Sequence, residues 1–136
     1  MSEKKIKDIY NCEYIVSDEE LYPLQKWHNI LIDKTVSQIS IADVLRMLRQ
    51  KELPDLAMSL AIKFLRDDIF AGELWEGEML EQISKMDSSF LKEYKKDLKL
   101  IIEDALIKSS VHEWTYDGEE KEFRKVMDDI LIKIGQ

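Results

Sequence analysis

Glycine and proline are scarce in this chain of 136 residues, which contains four glycines and two prolines. Sheets made of many short strands need frequent tight turns, and glycine and proline are the residues that most often form them. Their scarcity therefore favours helices. Hydrophobic residues make up 45% of the sequence, a content that excludes a disordered or collagen-like chain. At this length we expect one domain that spans residues 1–136.

Residues suited to metal binding and nucleophilic catalysis are also few. There is one cysteine, Cys12, and there are two histidines, His28 and His112. A single cysteine cannot form an intramolecular disulfide or a four-cysteine zinc site. Neither histidine has a second histidine one helical turn away, so a zinc site is not predicted. We expect no metal and no cofactor. A nucleophile–base pair of Cys12 and His28 is the one catalytic arrangement that these residues leave open.

Long apolar runs are missing as well. No uninterrupted run approaches the ~18 residues of a membrane-spanning helix. The first 14 residues lack the apolar stretch of a secretory signal. The single cysteine suits a reducing compartment. We therefore expect a cytoplasmic protein with no membrane partner.

Positive charge is in short supply, since 20 Lys and Arg face 28 Asp and Glu for a formal net charge of −8. Proteins grip a phosphate backbone through Lys and Arg, so a nucleic-acid partner is not predicted. A basic protein partner suits this charge better. The charge is also uneven: residues 1–68 carry 10 basic and 12 acidic residues, whereas residues 69–136 carry 10 and 16. The C-terminal half therefore produces most of the negative field.

Apolar residues recur at steps of three and four in six segments, as they do on the buried face of a helix. The segments are residues 17–32, 40–48, 54–67, 79–83, 88–105 and 123–134. Ser17 with Glu20, and Ser40 with Asp43, have the spacing of N-terminal capping boxes. Pro23 predicts a kink or a late start in the first helix. The pattern predicts an all-α fold, a single compact bundle of roughly six helices.

Two acidic segments stand out against this background. The first acidic segment, residues 67–84, contains six acidic residues and no Lys or Arg. The second acidic segment, residues 113–122, contains five acidic residues that surround Trp114 and Tyr116. An aromatic anchor ringed by carboxylates is suited to a basic protein partner. The two segments compete for this role, and we predict partner contacts at residues of both: Trp114, Tyr116, Asp117, Glu119, Glu120, Glu73 and Glu76.

Three short stretches between about Lys34 and Ile83 share an order and spacing with a known family. They are Ser40-Ile41-Ala42-Asp43-Val44-Leu45 with Leu48-Arg49-Gln50, then Leu60-Ala61-Ile62-x-Phe64-Leu65, then Gly72-Glu73-Leu74-Trp75-Glu76-Gly77-Glu78-Met79-Leu80. The last is similar to the G-[DE]-x-aromatic-x-G-[DE]-L-L segment of that family. The chain resembles the immunity proteins of bacterial contact-dependent growth inhibition systems.

The resemblance implies a binding protein without catalytic residues of its own. Such a protein would neutralise a cognate toxin domain, typically a nuclease, by blocking its active site in the cytoplasm. The implied partner is a basic toxin domain, met by a monomeric inhibitor. Because family members face unrelated toxins, we expect the shared segment to serve the fold. Gly72 and Gly77 would then be backbone positions of a tight connection, and Trp75 would fill the core beneath it.

Two other functions stay open on the residues alone. An all-α adaptor or regulatory domain could bind a different protein in a groove between helices. A small enzyme could use Glu73, Glu76 and Glu78 as general acid and base, although a solvated acidic loop has the same composition. A toxin-coding reading frame next to the gene would favour the immunity protein.

Overall fold

A computed structural model describes residues 3–135. Within that range the chain forms eight α-helices and one turn of 3₁₀-helix, and an isolated antiparallel bridge between Lys5 and Thr35 is its only β-type pairing. The predicted all-α class is confirmed. The helices are α1 (Ile6–Tyr10), α2 (Pro23–Ile32), α3 (Ile41–Gln50), α4 (Pro54–Asp67), α5 (Glu78–Ser84), α6 (Ser88–Lys92), α7 (Lys95–Ser109) and α8 (Glu119–Ile134).

The count of eight corrects the prediction of roughly six helices for two reasons. The five-residue helix α1 is too short to show a periodic pattern. The predicted helix over residues 88–105 is two helices, α6 and α7, separated at Glu93 and Tyr94. The apolar spacing continues across this break, because both helices bury their apolar faces in one core. Asp87 caps the start of α6 by accepting the backbone N–H of Ser89 at 3.2 Å.

The chain divides into two compact units, the first ending at Asp43 and the second beginning at Val44. In the first unit, α1 packs against α2. Helix α2 begins at Pro23, so the late start is the correct alternative. The predicted Ser17–Glu20 capping box does not form, because the Ser17 hydroxyl instead accepts the backbone N–H of Glu19 in a local turn.

Asp43 is the polar centre of the first unit and is only 8% exposed. Its carboxylate accepts hydrogen bonds from Lys34 Nζ at 2.6 Å, Trp27 Nε1 at 3.1 Å and the backbone N–H of Ser40 at 3.2 Å. The Ser40 hydroxyl accepts the Asp43 backbone N–H at 3.1 Å, which confirms the second capping box. Burial acts to raise the pKa of Asp43, but these hydrogen bonds outweigh it and lower the pKa.

In the second unit, α8 packs against α5, α6 and α7, and α4 packs against α7. The predicted stripes supply the core, where the side chains of Leu91, Leu98, Ala105, Met127 and Ile130 are fully buried. Pro54 occupies the first turn of α4, as predicted, where its missing N–H leaves no hydrogen bond unmade. The packing of α5 on α8 brings the start of one helix close to the start of the other, and the candidate functional site lies where the two helix starts meet.

No helix in the described part of the chain is long and apolar enough to cross a membrane.

Candidate functional site

The loop that joins α4 to α5 is closed at its base by two backbone hydrogen bonds. Gly77 N–H donates to the Phe70 carbonyl at 2.9 Å, and Met79 N–H donates to the Ala71 carbonyl at 3.0 Å. A Cβ on Gly72 would lie 2.2 Å from the Trp75 carbonyl oxygen, so no side chain fits there. Gly77 has a φ of +81°, and its Cβ would lie 2.9 Å from the Phe123 ring. Both glycines therefore have the backbone role expected of them.

Glu78 holds the same loop from inside. Its side chain is 1% exposed, and Oε1 accepts the backbone N–H groups of Glu73 and Leu74, each at 2.8 Å. The Arg49 guanidinium lies 3.8 Å from the other carboxylate oxygen. Glu78 was one of three glutamates that the sequence analysis considered as general acid and base. In the structure its carboxylate accepts hydrogen bonds from two backbone N–H groups that the turn would otherwise leave unpaired.

An aromatic cluster joins the two acidic segments. The Trp114 ring contacts Phe70, His112 and Phe123, with centroid separations of 5.4, 4.6 and 5.3 Å. The His112 ring stacks on Phe70 at 4.0 Å, and its Nε2 pairs with the Glu76 carboxylate. The rings and the contact between His112 and Glu76 therefore link the α4–α5 loop to the α7–α8 loop.

Together the two acidic segments line one open cleft of about 530 Å³. The first acidic segment contributes Trp75, Glu76 and Glu81, and the second contributes Trp114, Tyr116, Glu119 and Glu122. Gly77, Phe123 and Val126 complete the lining. On the sequence alone the two segments compete for one role, but the fold brings residues of both to the lining of a single cleft.

The two sides of the cleft are built from the same seven-residue pattern: aromatic, acidic, glycine, glutamate, two further residues, glutamate. Residues 75–81 are Trp-Glu-Gly-Glu-Met-Leu-Glu, and residues 116–122 are Tyr-Asp-Gly-Glu-Glu-Lys-Glu. In each copy the glycine precedes the helix in a left-handed conformation, with φ of +81° at Gly77 and +91° at Gly118. We call residues 75–81 the Trp arm and residues 116–122 the Tyr arm.

Hydrogen bonds confirm that the arms are equivalent. In each arm the aromatic side chain donates to the glutamate six residues later: Trp75 Nε1 to Glu81 Oε2 at 2.8 Å, and Tyr116 OH to Glu122 Oε2 at 2.6 Å. The glutamate after the glycine accepts the backbone N–H four residues before it, and in the Tyr arm Glu119 accepts that of Thr115 at 2.8 Å. Each arm therefore presents a ring and a carboxylate fixed to each other.

The Tyr116 phenol reports the electrostatics of the cleft. Its pKa is raised to about 12, first because its proton is held by Glu122, then by burial, and then by the negative charges of Glu122, Glu119 and Glu81. Glu81 belongs to the Trp arm, so carboxylates of both arms act on the same ring. Carboxylates of both arms therefore disfavour a further negative charge in the cleft.

The predicted contact residues are distributed unevenly around this site. Tyr116, Glu119, Glu76 and Trp114 line the cleft. Asp117 and Glu73 are exposed outside its lining, and Glu120 pairs with Arg124 at 3.3 Å.

The core role expected of Trp75 is wrong, because Trp75 is 46% exposed. Trp114, predicted as a partner contact, is partly buried in the aromatic cluster, where it donates to the Ser109 carbonyl at 3.0 Å, and it also lines the cleft. The core position beneath the loop is taken by Phe123, which is buried.

Sequence reasoning missed Glu81 and Glu122, the carboxylates held by the two aromatic side chains. The signal that could have found them is the repeated pattern, in which each stands six residues after an aromatic residue.

Among residues 3–135, no three His, Cys, Asp or Glu side chains are grouped so as to hold a metal ion.

Comparison with protein families identifies this chain. A family model of CDI immunity proteins matches residues 8–101 and so includes the Trp arm and the loop that precedes it. Comparison with curated proteins gives no match. The resemblance read from the sequence is confirmed and extends over more of the chain than residues 34–83. Because the match covers well over half of the 136 residues, the chain belongs to the CDI immunity proteins, a family whose members neutralise toxins.

Proposed function

We propose that this protein neutralises a cognate toxin domain by binding it directly at the cleft between the Trp arm and the Tyr arm. The observation that carries the proposal is the convergence of both acidic segments on one cleft with exposed aromatic walls. Aromatic side chains at the centre of an interface contribute most to affinity, and charged groups around them set the rate and register of docking.

The partner that fits this surface is a basic toxin domain, and we propose that it is a nuclease. A nuclease must attract the phosphate backbone, so the surface around its active site carries Lys and Arg. An acidic inhibitor competes for those same side chains and covers the site as it binds. The formal charge of −8 and the four carboxylates in the cleft lining support this complementarity.

The inhibitor acts by occupying the toxin, without a reaction of its own. Two carboxylates of the would-be acid–base set support this part of the proposal, since Glu78 holds the loop backbone and Glu76 pairs with His112. We propose a cytoplasmic monomer that meets the toxin there, with no cofactor, nucleic acid or membrane involved.

The test is protection of growing cells. A candidate toxin domain from a reading frame next to this gene is expressed from an inducible promoter, with and without the chain. We expect growth to be restored only with the chain, and the two proteins to elute together at 1:1 stoichiometry. In vitro, nuclease activity of the toxin should fall in proportion to the chain added. Growth arrest in the presence of the folded chain, with no complex formed, would refute the proposal.

A further inference from the structure

The cleft contains more than negative charge, because each arm pairs an exposed ring with a fixed carboxylate. Trp75 is 46% and Tyr116 is 53% exposed, values that leave much of each ring free for a partner. A buried ring would serve the core, whereas a half-exposed ring in a cleft is accessible to an incoming group. The walls are therefore suited to a flat cationic group rather than to a purely apolar one.

The carboxylates are positioned mainly by neutral donors. Glu81 is held by an indole N–H, Glu122 by a phenol O–H and Glu119 by a backbone N–H. Neutral donors orient a carboxylate and leave its charge in place. Lys85 lies 3.8 Å from Glu81, one helical turn away, and no Lys or Arg occurs among the described residues that line the cleft. The site therefore keeps a surplus of negative charge.

Resting on the function proposed above, we infer that the cleft is a receptor for an arginine side chain of the toxin, clamped between the Trp arm and the Tyr arm. A guanidinium group is planar, stacks on aromatic rings and donates in a fork that matches a carboxylate. A Lys ammonium is a compact, strongly hydrated point charge that gains less from two flat walls. The volume of about 530 Å³ admits the side chain together with its flanking backbone.

The test uses three blocked tripeptides added to the full 136-residue protein: Gly-Arg-Gly, Gly-Lys-Gly and Gly-citrulline-Gly. Citrulline has nearly the shape of arginine without its charge. Indole N–H resonances of the protein are followed by NMR. Trp75 and Trp114 line the cleft, whereas Trp27 donates to Asp43 in the first unit and serves as the internal reference.

We expect the arginine peptide to shift the Trp75 resonance saturably at millimolar concentration and to leave Trp27 unchanged. The lysine peptide should bind several-fold more weakly and the citrulline peptide at least tenfold more weakly. Glu81→Gln and Glu122→Gln should each weaken arginine binding at least fivefold. Glu103→Gln is the matched control, because Glu103 is exposed and lies outside the cleft lining, and it should change binding less than twofold.

Equal binding of the arginine and citrulline peptides, equal binding of the arginine and lysine peptides, or equal loss in the Glu103 control would each overturn the inference. Its failure is distinguishable from failure of the proposed function. If the chain protects cells and binds the toxin but the arginine peptide does not bind, the inference alone is wrong. If the peptide binds as expected but no toxin complex forms, the proposed function is wrong and the cationic receptor stands.

Discussion

Glu78 and Glu119 occupy equivalent positions on the two sides of the cleft. Each directly follows a left-handed glycine and accepts a backbone N–H from the residue four positions earlier, Leu74 in one case and Thr115 in the other, both at 2.8 Å. The same arrangement therefore occurs twice. In each case the chain enters a helix after a left-handed glycine, and an aromatic ring is hydrogen-bonded to a carboxylate. The duplication gives both sides of the cleft the same pairing of a ring with a carboxylate.

The two cap glycines predict different costs of substitution. Gly77→Ala must place a Cβ 2.9 Å from the Phe123 ring, whereas a Cβ at Gly118 meets nothing within 4 Å. Left-handed backbone costs an L-residue about 1–2 kcal/mol, and overpacking adds about 1–3 kcal/mol. Urea unfolding should therefore show a larger loss of unfolding free energy for Gly77→Ala than for Gly118→Ala. Equal losses would mean that the Phe123 ring moves aside for the new Cβ without lowering the unfolding free energy.

Two glutamates of the Trp arm are expected to affect different properties: Glu78 the stability of the fold, and Glu81 the binding of the toxin. Glu78→Ala leaves two backbone N–H groups without their acceptor and should lower the unfolding free energy by about 2–3 kcal/mol. Glu81→Ala removes a more exposed carboxylate and should lower it by less than about 1 kcal/mol, while weakening toxin binding. Thermal melts and calorimetric titration measure the two effects. A Glu81→Ala protein that melts as low as Glu78→Ala would contradict this assignment.

The lowered pKa of Asp43 predicts an acid-sensitive first unit. The folded protein favours the ionised form of the Asp43 carboxyl group. The stabilisation from this group is therefore complete above about pH 3.9, the pKa of an Asp side chain in the unfolded chain. It is lost as the pH falls from there through the folded pKa. The difference in unfolding free energy between wild type and Asp43→Asn should therefore be largest near pH 7 and shrink below pH 4. Fluorescence of Trp27, which donates to Asp43, follows the transition, and a constant difference from pH 7 to pH 2.5 would argue against the linkage.

The exposed ring of the Trp arm predicts a kinetic signature. Trp75→Ala should speed dissociation of the toxin complex by roughly 30-fold or more, the effect of losing about 2 kcal/mol at a hot spot. Association should change little, because steering depends on charge. Leu74→Ala is the control, since Leu74 is the adjacent residue, 73% exposed and outside the lining. Surface plasmon resonance separates the two rates, and equal dissociation rates for the two variants would refute the anchor.

Most helices could be predicted because their signals are local. The Ser40–Asp43 capping box, Pro54 at a helix start and the apolar stripes each depend on residues within a few turns of one another. The late start of α2 at Pro23 is correct. The Ser17–Glu20 capping box is wrong, because Ser17 has the right spacing but uses its hydroxyl in a tighter turn. Nothing local marks the break at Tyr94, whose hydroxyl donates to Asp55 at 2.6 Å, 39 residues away in the chain.

The candidate site could be predicted only in pieces. Its acidic segments are visible in composition, but their convergence depends on the packing of α5 against α8, which no local pattern records. The exposure of a tryptophan depends on the same long-range packing. Trp114 is covered because Phe70 and Phe123 come from two other segments of the chain, while Trp75 is 46% exposed.

Whether the toxin docks at the cleft between the two arms can be decided from the affinity of two charge-reversal variants for the toxin domain. Glu81→Lys/Glu122→Lys reverses one carboxylate in each arm, and Glu103→Lys/Asp128→Lys makes the same change in net charge at exposed residues outside the cleft lining. Calorimetric titration at about 0.15 M salt screens the long-range difference between them. We expect the first variant to weaken binding at least 100-fold and the second less than threefold. Equal weakening by both, or an unchanged dissociation constant for the cleft variant, would show that the toxin does not dock at the cleft.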